Sequence, residues 1–503
     1  MNKLISLKKN IIANYIGQAY KALIGIFMMP LYLSYFGSEA FGLIGFYIML
    51  QSWMQLLDLG MKPTLARESA RYRAESIDTF ELRTVLRTFE TIFVSTGLVM
   101  ALGIIFLSGY ISSSWLKVEN LDLKTVSYAV CFMGVVVGTR WVSSLYSGVV
   151  SGLERQVWLN SFEIISNTVR FVGVLGAFYF FEASILVFFI YQMIVSIFEL
   201  LVIQYFTYTN FEKVQQNILY SFEVLKKIYK FSFAIAFGSI IWVVVTQIDK
   251  LILSKTIPLE QYGYFSLAIV IANGVFVLGN AISGAIMPRL VYYSERKDEE
   301  GFKRVYFFSL EIALMVVVPI SALLVIYAQE ILYLWTHDEI AAQNASKILI
   351  WYVLGNVVVS SAAFAYYLQY AKGDLKLHVR GNLIYAIILI PLQIYIASNY
   401  GPIETGVLWF IINLCFLLFW IGFIHKKFLK GEHIKWLYNI IKMFIGGYGV
   451  VLIMKYYILD IQMVYNMMVL IKLFLVGIVS FLFTLLFSTQ IRQKIFTRFL
   501  NAN

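Results

Sequence analysis

Long apolar runs broken by short polar segments make up almost the whole chain. A helix needs about 20 mostly apolar residues to cross a hydrocarbon layer roughly 30 Å thick, because it rises about 1.5 Å per residue. About 14 runs meet that requirement, centred near Lys21, Leu50, Val99, Phe132, Val169, Phe189, Ile241, Phe276, Val316, Val357, Ile388, Ile412, Gly446 and Leu475. They are long and continuous, not short and alternating, which excludes a membrane barrel. The expected fold is an all-α polytopic membrane protein. No connection on the side poor in lysine and arginine exceeds about 15 residues, so no soluble domain is expected between the spans.

Composition narrows this further. Of 503 residues, 60% are hydrophobic and 14% charged, with a mean hydropathy of +0.76. Soluble domains carry about 25% charged residues, so a soluble enzyme is excluded. Cys131 and Cys415 both lie inside apolar runs and form neither a disulfide framework nor a metal cluster. His337, His378, His425 and His433 are scattered at no metal-binding spacing, and no phosphate-cradling glycine loop is present. No metal or cofactor is expected.

The lysines and arginines set the orientation. With the N-terminus inside, cytoplasmic segments hold about 30 of the 40, and the opposite loops about five. Both termini are therefore expected in the cytoplasm, consistent with an even number of spans. The net charge of +11 is then topological and gives no reason to expect nucleic-acid binding.

The chain also repeats itself at a separation of 221 residues (260 − 39). Glu39, Phe41 and Gly42 in SEAFGLIGF correspond to Glu260, Tyr262 and Gly263 in LEQYGYFSL. The same offset pairs Arg83 with Arg304, Glu90 with Glu311, Tyr146 with Tyr367 and Gly152 with Gly373. Six spans per copy make the copies parallel, the arrangement of transporter halves that rock about a central site. The expected organisation is a six-helix lobe over residues 1–212, a second over 213–432, and two additional helices with a cytoplasmic tail over 433–503. With both lobes in one chain, a monomer is expected.

Charged side chains near the bilayer centre cost about 2.5–3.5 kcal/mol on insertion scales, so those that persist usually face a cavity or a partner. The first span carries Asn10, Asn14, Gln18 and Lys21 on one face, with Lys21 too deep to snorkel easily. The fifth carries Asn160, Glu163, Asn167 and Arg170 at steps of three and four. Arg140 lies on the fourth span, Gln51 and Asp58 on the second, and Asp249 with Lys250 on the seventh. Bland readings stand beside the functional ones. Lys250 and Arg140 lie near span ends, where a long side chain snorkels, and asparagines often serve as interhelical glue. Glu163 and Arg170 could form a structural ion pair within the lobe. Lys21, with no partner on its own helix, is the strongest cavity candidate. Cations outnumber acids at depth, which favours an anionic headgroup.

The run PLYLSYFGSEAFGLIGFYIMLQSWMQLLDLGMKPTLAR resembles the first two spans of polysaccharide-transport members of the multidrug/oligosaccharidyl-lipid/polysaccharide exporter superfamily. QIDKLILSKTIPLEQYGYFSLA, followed by MPRL, is similar to that family's seventh and eighth spans. The resemblance implies two six-helix bundles around a central, often cationic cavity. It also implies a non-enzymatic function in the bacterial inner membrane: flipping an undecaprenyl-diphosphate-linked oligosaccharide, an O-antigen or capsule repeat unit, from the cytoplasmic to the periplasmic leaflet. Lys21 falls on the stretch where relatives often carry a cavity-facing basic residue, and Arg140 and Arg170 lie on spans that line part of the family's cavity. The candidate substrate-binding set is Lys21, Arg140, Arg170, Lys250, Asn14, Gln18 and Asn167. Candidate carriers for a coupling proton or sodium ion are Glu163, Asp249 and Asp58. The expected partners are the lipid-linked oligosaccharide, the bilayer, and other polysaccharide-assembly membrane proteins. A drug/cation antiporter of the same superfamily and a membrane-embedded glycan polymerase are the alternatives, with a flippase for the peptidoglycan precursor as a third. The scarcity of deep acids counts against the first, and the short outward loops against the second.

Overall fold

A computed structural model describes residues 7–58, 60–211, 218, 220–458 and 467–493. The chain divides into two compact units, Met1–Gly263 and Tyr264–Asn503. The boundary expected at 212–213 lies outside the described residues.

The first unit holds α1 (Leu7–Met54), α2 (Met61–Arg73), α3 (Thr79–Tyr110), α4 (Leu123–Gly152), α5 (Gln156–Phe171), α6 (Gly173–Phe180), α7 (Ile185–Thr209), α8 (Phe222–Thr256) and the start of α9 (Leu259–Glu295). The second holds the rest of α9, then α10 (Glu299–Ile326), α11 (Ala328–Thr336), α12 (Glu339–Ala371), α13 (Lys376–Asn399), α14 (Pro402–Cys415), α15 (Ile421–Phe428), α16 (His433–Ile453) and α17 (Met467–Leu486). Among the described residues the only β contact is an isolated bridge between Lys117 and Pro258.

Eleven helices among the described residues are long and apolar enough to span a membrane, against the fourteen runs expected. Three features account for the difference. The first two runs fall in one 48-residue helix, α1, interrupted at Gly37. The run near Val169 is divided at Val172 into α5 and α6, of 16 and 8 residues, each short of a crossing. The run near Ile241 lies in α8, where the side chains of residues 227–239 are outside the described set.

Gly37 adopts φ 77° and ψ 172°, a conformation that side chains with a Cβ essentially never adopt. Nothing lies within 4 Å of where a Cβ would stand, so a substitution acts through the backbone alone. Gly37→Ala should destabilise the protein by about 1–3 kcal/mol, read as a lowered thermal midpoint of the purified protein.

Helix α4 is the organising element of the first unit, and its glycines set how closely its neighbours approach. A Cβ on Gly134 would stand 3.0 Å from the Ala101 carbonyl oxygen, and one on Gly138 2.8 Å from that of Gly97. This is the small-xxx-small packing that lets apolar membrane helices touch backbone to backbone. Further along α4, Gly148 and Gly152 do the same for α2, with virtual Cβ atoms 2.9 Å from the Lys62 oxygen and 2.1 Å from the Ala66 oxygen. Phe93 stacks on Trp141 at 4.4 Å and 7°, filling the interior of this cluster. Asp78 and Asp122 cap α3 and α4 by accepting the Glu81 and Thr125 backbone N–H groups. The Thr125 N–H holds the Asp122 carboxyl below the usual carboxylate range.

The two segments related by the 221-residue offset meet in the first unit. A Cβ on Gly42 would stand 2.3 Å from the Leu259 oxygen, and one on Gly263 2.2 Å from the Ser38 oxygen. Ser38 and Leu259 are separated by the same offset (259 − 38), so each glycine receives the counterpart of the other's partner. Ser38 Oγ donates to Glu260 Oε1 at 2.9 Å, Trp115 Nε1 donates to Ser254 Oγ at 3.0 Å, and the Leu259 N–H donates to the Lys117 oxygen at 2.9 Å. Glu39 holds the adjoining loop by accepting the backbone N–H groups of Glu119, Asn120 and Leu121.

In the second unit α10 is the hub, packing on α12, α16 and α17. Its buried Glu311 accepts the backbone N–H groups of Gln490 (2.8 Å) and Ile491 (3.2 Å), tying the chain beyond α17 to this core. Glu90, its counterpart by offset, accepts from the Tyr146 and Tyr208 hydroxyls at 2.8 and 2.6 Å. Two histidines read as scattered come together here. His425 Nδ1 lies 2.9 Å from His433 Nδ1, Tyr306 Oη 2.9 Å from His425 Nε2, and His433 Nε2 3.2 Å from the Leu418 oxygen. With both rings neutral, a single proton arrangement from Tyr306 to the Leu418 carbonyl satisfies all three bonds.

Candidate functional site

The first unit holds a half-open cavity of about 840 Å³. Its lining comes from α1 (Lys21, Gln51, Met54), the 3₁₀ turn after it (Asp58), α2 (Lys62), α4 (Val137, Arg140, Trp141, Ser144) and α8 (Trp242, Val243). Among the described residues, three cations and one carboxylate therefore face a single space. Their partners decide how much positive charge is available. Lys21 forms an ion pair with Glu163 of α5, so its charge is largely matched. Lys62 stands beside Asp58, which accepts the Lys62 backbone N–H at 3.0 Å. Arg140 donates from Nη1 to Gln51 Oε1 at 2.7 Å, a neutral partner. The arginine is the lining cation whose hydrogen-bond partner carries no charge. Burial pushes the Asp58 carboxyl above the ordinary carboxylate range, against the pull of the Lys62 N–H and ammonium.

The cavity gathers Lys21, Arg140 and Asp58 from the candidate set and leaves the others elsewhere. Lys21 does have a partner, on a different helix: Glu163, which pairs with Lys21 and not with Arg170 of its own helix. Arg170 is 5% exposed and ion-paired with Glu199 of α7, while its backbone oxygen accepts from Gln192 Nε2 at 3.1 Å. It holds α5 to α7. Asn14 Oδ1 accepts from Asn160 Nδ2 at 2.6 Å. The polar stripes of α1 and α5 thus face each other, with Asn10 donating to the Glu154 oxygen and Tyr20 bonded to Thr168 along the same seam. Gly17 permits this contact, since a Cβ there would meet the Asn160 side chain at 2.3 Å. Polar groups that lack water pair across helices, and two facing stripes do so most economically. Asn167 donates to the Glu163 backbone oxygen at 2.6 Å, and Gln18 is exposed on α1. On α8, Lys250 Nζ donates to the Thr246 oxygen and to Asp249 Oδ1, and Asp249 is 1% exposed.

The family model for polysaccharide biosynthesis proteins matches residues 7–294, more than half of the chain. The chain belongs to the polysaccharide biosynthesis protein family. A second model, MatE, matches residues 234–396. Together they place this polysaccharide biosynthesis protein in the multidrug/oligosaccharidyl-lipid/polysaccharide exporter superfamily, as a membrane transporter of the bacterial inner membrane. A Shigella flexneri protein named "Putative O-antigen transporter" is 22% identical over 408 residues, covering 80% of this chain and 94% of its own length. Among solved structures, lipid II flippase MurJ in an inward closed conformation superposes with a TM-score of 0.66 at 16% identity, over 98% of this chain and 99% of its own. An inward-facing multidrug resistance MATE family transporter gives 0.63 at 13% identity, over 82% and 96%. At these identities the two structures share the fold.

Several functional neighbours in this family member escaped the sequence. Lys62 read as one more topological cation, yet α2 carries it to the cavity because Gly148 and Gly152 admit α2 against α4. Glu199 was hidden as a single acid in the long apolar span of α7. The signal that could have found it is the buried stripe Gln192, Ser196 and Glu199, at steps of four and three. Trp141 and Trp242 looked like ordinary apolar span residues, and they form walls of the cavity.

Proposed function

We propose that this transporter flips an undecaprenyl-diphosphate-linked oligosaccharide, an O-antigen or capsule precursor, from the cytoplasmic to the periplasmic leaflet by alternating access. The observation that carries the reading is the cationic cavity, with Arg140 opposed by neutral Gln51. A diphosphate drawn into a space of reduced dielectric is attracted far more strongly than it would be in water. Family membership and the name of the Shigella flexneri relative support the same substrate class. Fourteen crossings in two six-helix lobes, 1–212 and 213–432, with two further helices over 433–503 and both termini cytoplasmic, complete the proposal.

Candidate substrate contacts are Lys21, Arg140 and, newly, Lys62. Lys250, Arg170, Asn14, Gln18 and Asn167 hold or flank the helices that present them. Among Glu163, Asp249 and Asp58, the cavity position favours Asp58 as the proton carrier. Its raised carboxyl takes up a proton more readily as pH falls, which removes the negative charge beside Lys62 and strengthens binding of an anionic headgroup. Binding should therefore tighten as pH falls and weaken as pH rises through the Asp58 pKa. Asp58→Asn should flatten that profile, measured as headgroup binding across a pH series, and an unchanged slope would remove Asp58 from the mechanism.

The function is tested in a deletion strain by following lipid-linked oligosaccharide and surface polysaccharide together. Single repeat units should accumulate on the lipid carrier while surface glycan disappears. Unchanged glycan with lowered drug tolerance would instead identify a drug/cation antiporter.

A further inference from the structure

Two indoles line the cavity beside its charged groups, and they differ in exposure. Trp141 is 5% exposed and clamped against Phe93 in the stack described above, so its ring is part of the wall. Trp242 is 42% exposed and stands on α8 next to Val243, presenting a broad apolar surface to the same space as Arg140, Lys21 and Lys62. Gln51 and Ser144 add neutral hydrogen-bonding groups. The lining therefore combines cations, amide and hydroxyl groups, and an aromatic face.

Three ligand chemistries can meet an indole in such a place. An organic cation would be attracted to the ring face but opposed by the surrounding ammonium and guanidinium groups. An uncharged aromatic would use the ring and leave the cations without a counterpart. A sugar carried on a phosphate uses all three. Its hydroxyls meet Gln51 and Ser144, its phosphate meets the cations, and the C–H face of its ring, polarised positive by the oxygens, meets the negative face of the indole.

We propose that Trp242 is the platform on which a sugar ring of the lipid-linked substrate stacks, making it a residue that distinguishes a glycosylated polyprenyl diphosphate from a bare one. This rests on the flippase reading and extends it from the anionic group to the sugar. Arg140 and its neighbours hold the diphosphate without regard to the glycan, and Trp242 responds only when a sugar is present.

The test uses the full-length purified protein and two probes, undecaprenyl diphosphate carrying a repeat unit and undecaprenyl diphosphate without sugar. Trp242→Leu keeps an apolar side chain of substantial volume and removes the aromatic face, whereas Trp242→Phe keeps a ring. The leucine variant should bind the glycosylated probe about tenfold more weakly and the bare probe as wild type does, with phenylalanine recovering most of the loss. Equal weakening toward both probes, or none toward either, would overturn the role of Trp242 and leave the flippase reading intact. If the wild-type protein binds neither probe, the flippase reading itself falls, and the inference falls with it. Should the leucine variant fail to fold, Trp242→Met decides: it must lose the preference for the glycosylated probe that Trp242→Phe retains, and equal preference in the two would overturn the role of Trp242.

Discussion

Replacing Arg140 with alanine should lower transport of a lipid-linked diphosphate by about 10- to 100-fold while leaving the protein folded and inserted. Hydrogen bonds to charged groups are worth about 1.5–3 kcal/mol, and a guanidinium binds phosphate oxygens through two parallel donors. The loss should be large because Lys21 is already paired with Glu163, which leaves Arg140 and Lys62 to hold the diphosphate. Arg140→Lys separates charge from geometry: it keeps the cation, loses the fork, and should restore only part of the activity. A merely structural role, bridging α4 to α1 through Gln51, would be rescued by Arg140→Gln instead. The measurement is the initial flipping rate of a labelled substrate, normalised to folded protein.

Joining Ser38 to Glu260 should stop transport altogether, and releasing the link should restore it. Their side chains already meet at 2.9 Å, beside a crossing where Gly42 and Gly263 press against backbone oxygens. In an alternating-access cycle the segments related by the internal repeat must part at one end of the molecule to expose the site on that side. On the proposed cycle, a contact this close, with no Cβ between the backbones, is where a seal would have to part. Ser38→Cys with Glu260→Cys, bridged by a short cleavable thiol crosslinker, holds it shut. Cys131 and Cys415 should first be replaced by serine, since Cys415 is exposed and would react. Flipping should fall to background when bridged and recover on cleavage. Transport at the wild-type rate through the bridged protein would mean that the crossing never opens.

The sequence made the membrane character and most span positions legible because both depend on local hydropathy. It misplaced span counts where local geometry intervened. Gly37 interrupts α1 without a polar break, so two runs share one helix, whereas the run near Val169 is broken at Val172 in an apolar stretch. The cavity was legible only in part. Lys21, Arg140 and Asp58 stood out as depth-violating or polar positions, but their pairing depends on how helices rotate against each other. Glu163 looked equally suited to Arg170 on its own helix. The approach of α1 to α5 at Gly17 gives it to Lys21, and Arg170 turns instead to Glu199. Asn14 and Asn160 illustrate the same limit. Each was visible as a polar stripe, and periodicity says which residues share a face without saying what that face meets. Lys62 was masked by its abundance class, one basic residue among many near a span end.

The most direct measurement is flipping itself, with purified protein in sealed proteoliposomes. Lipid-linked oligosaccharide is placed in one leaflet, and its appearance in the other is followed with a membrane-impermeant sugar-modifying reagent. The wild-type protein should move the substrate across, the Arg140→Ala protein should do so at least about tenfold more slowly, and empty vesicles not at all. If substrate stays in its leaflet with wild-type protein present, or crosses equally fast without Arg140, the cationic cavity is not where this transporter takes hold of its substrate.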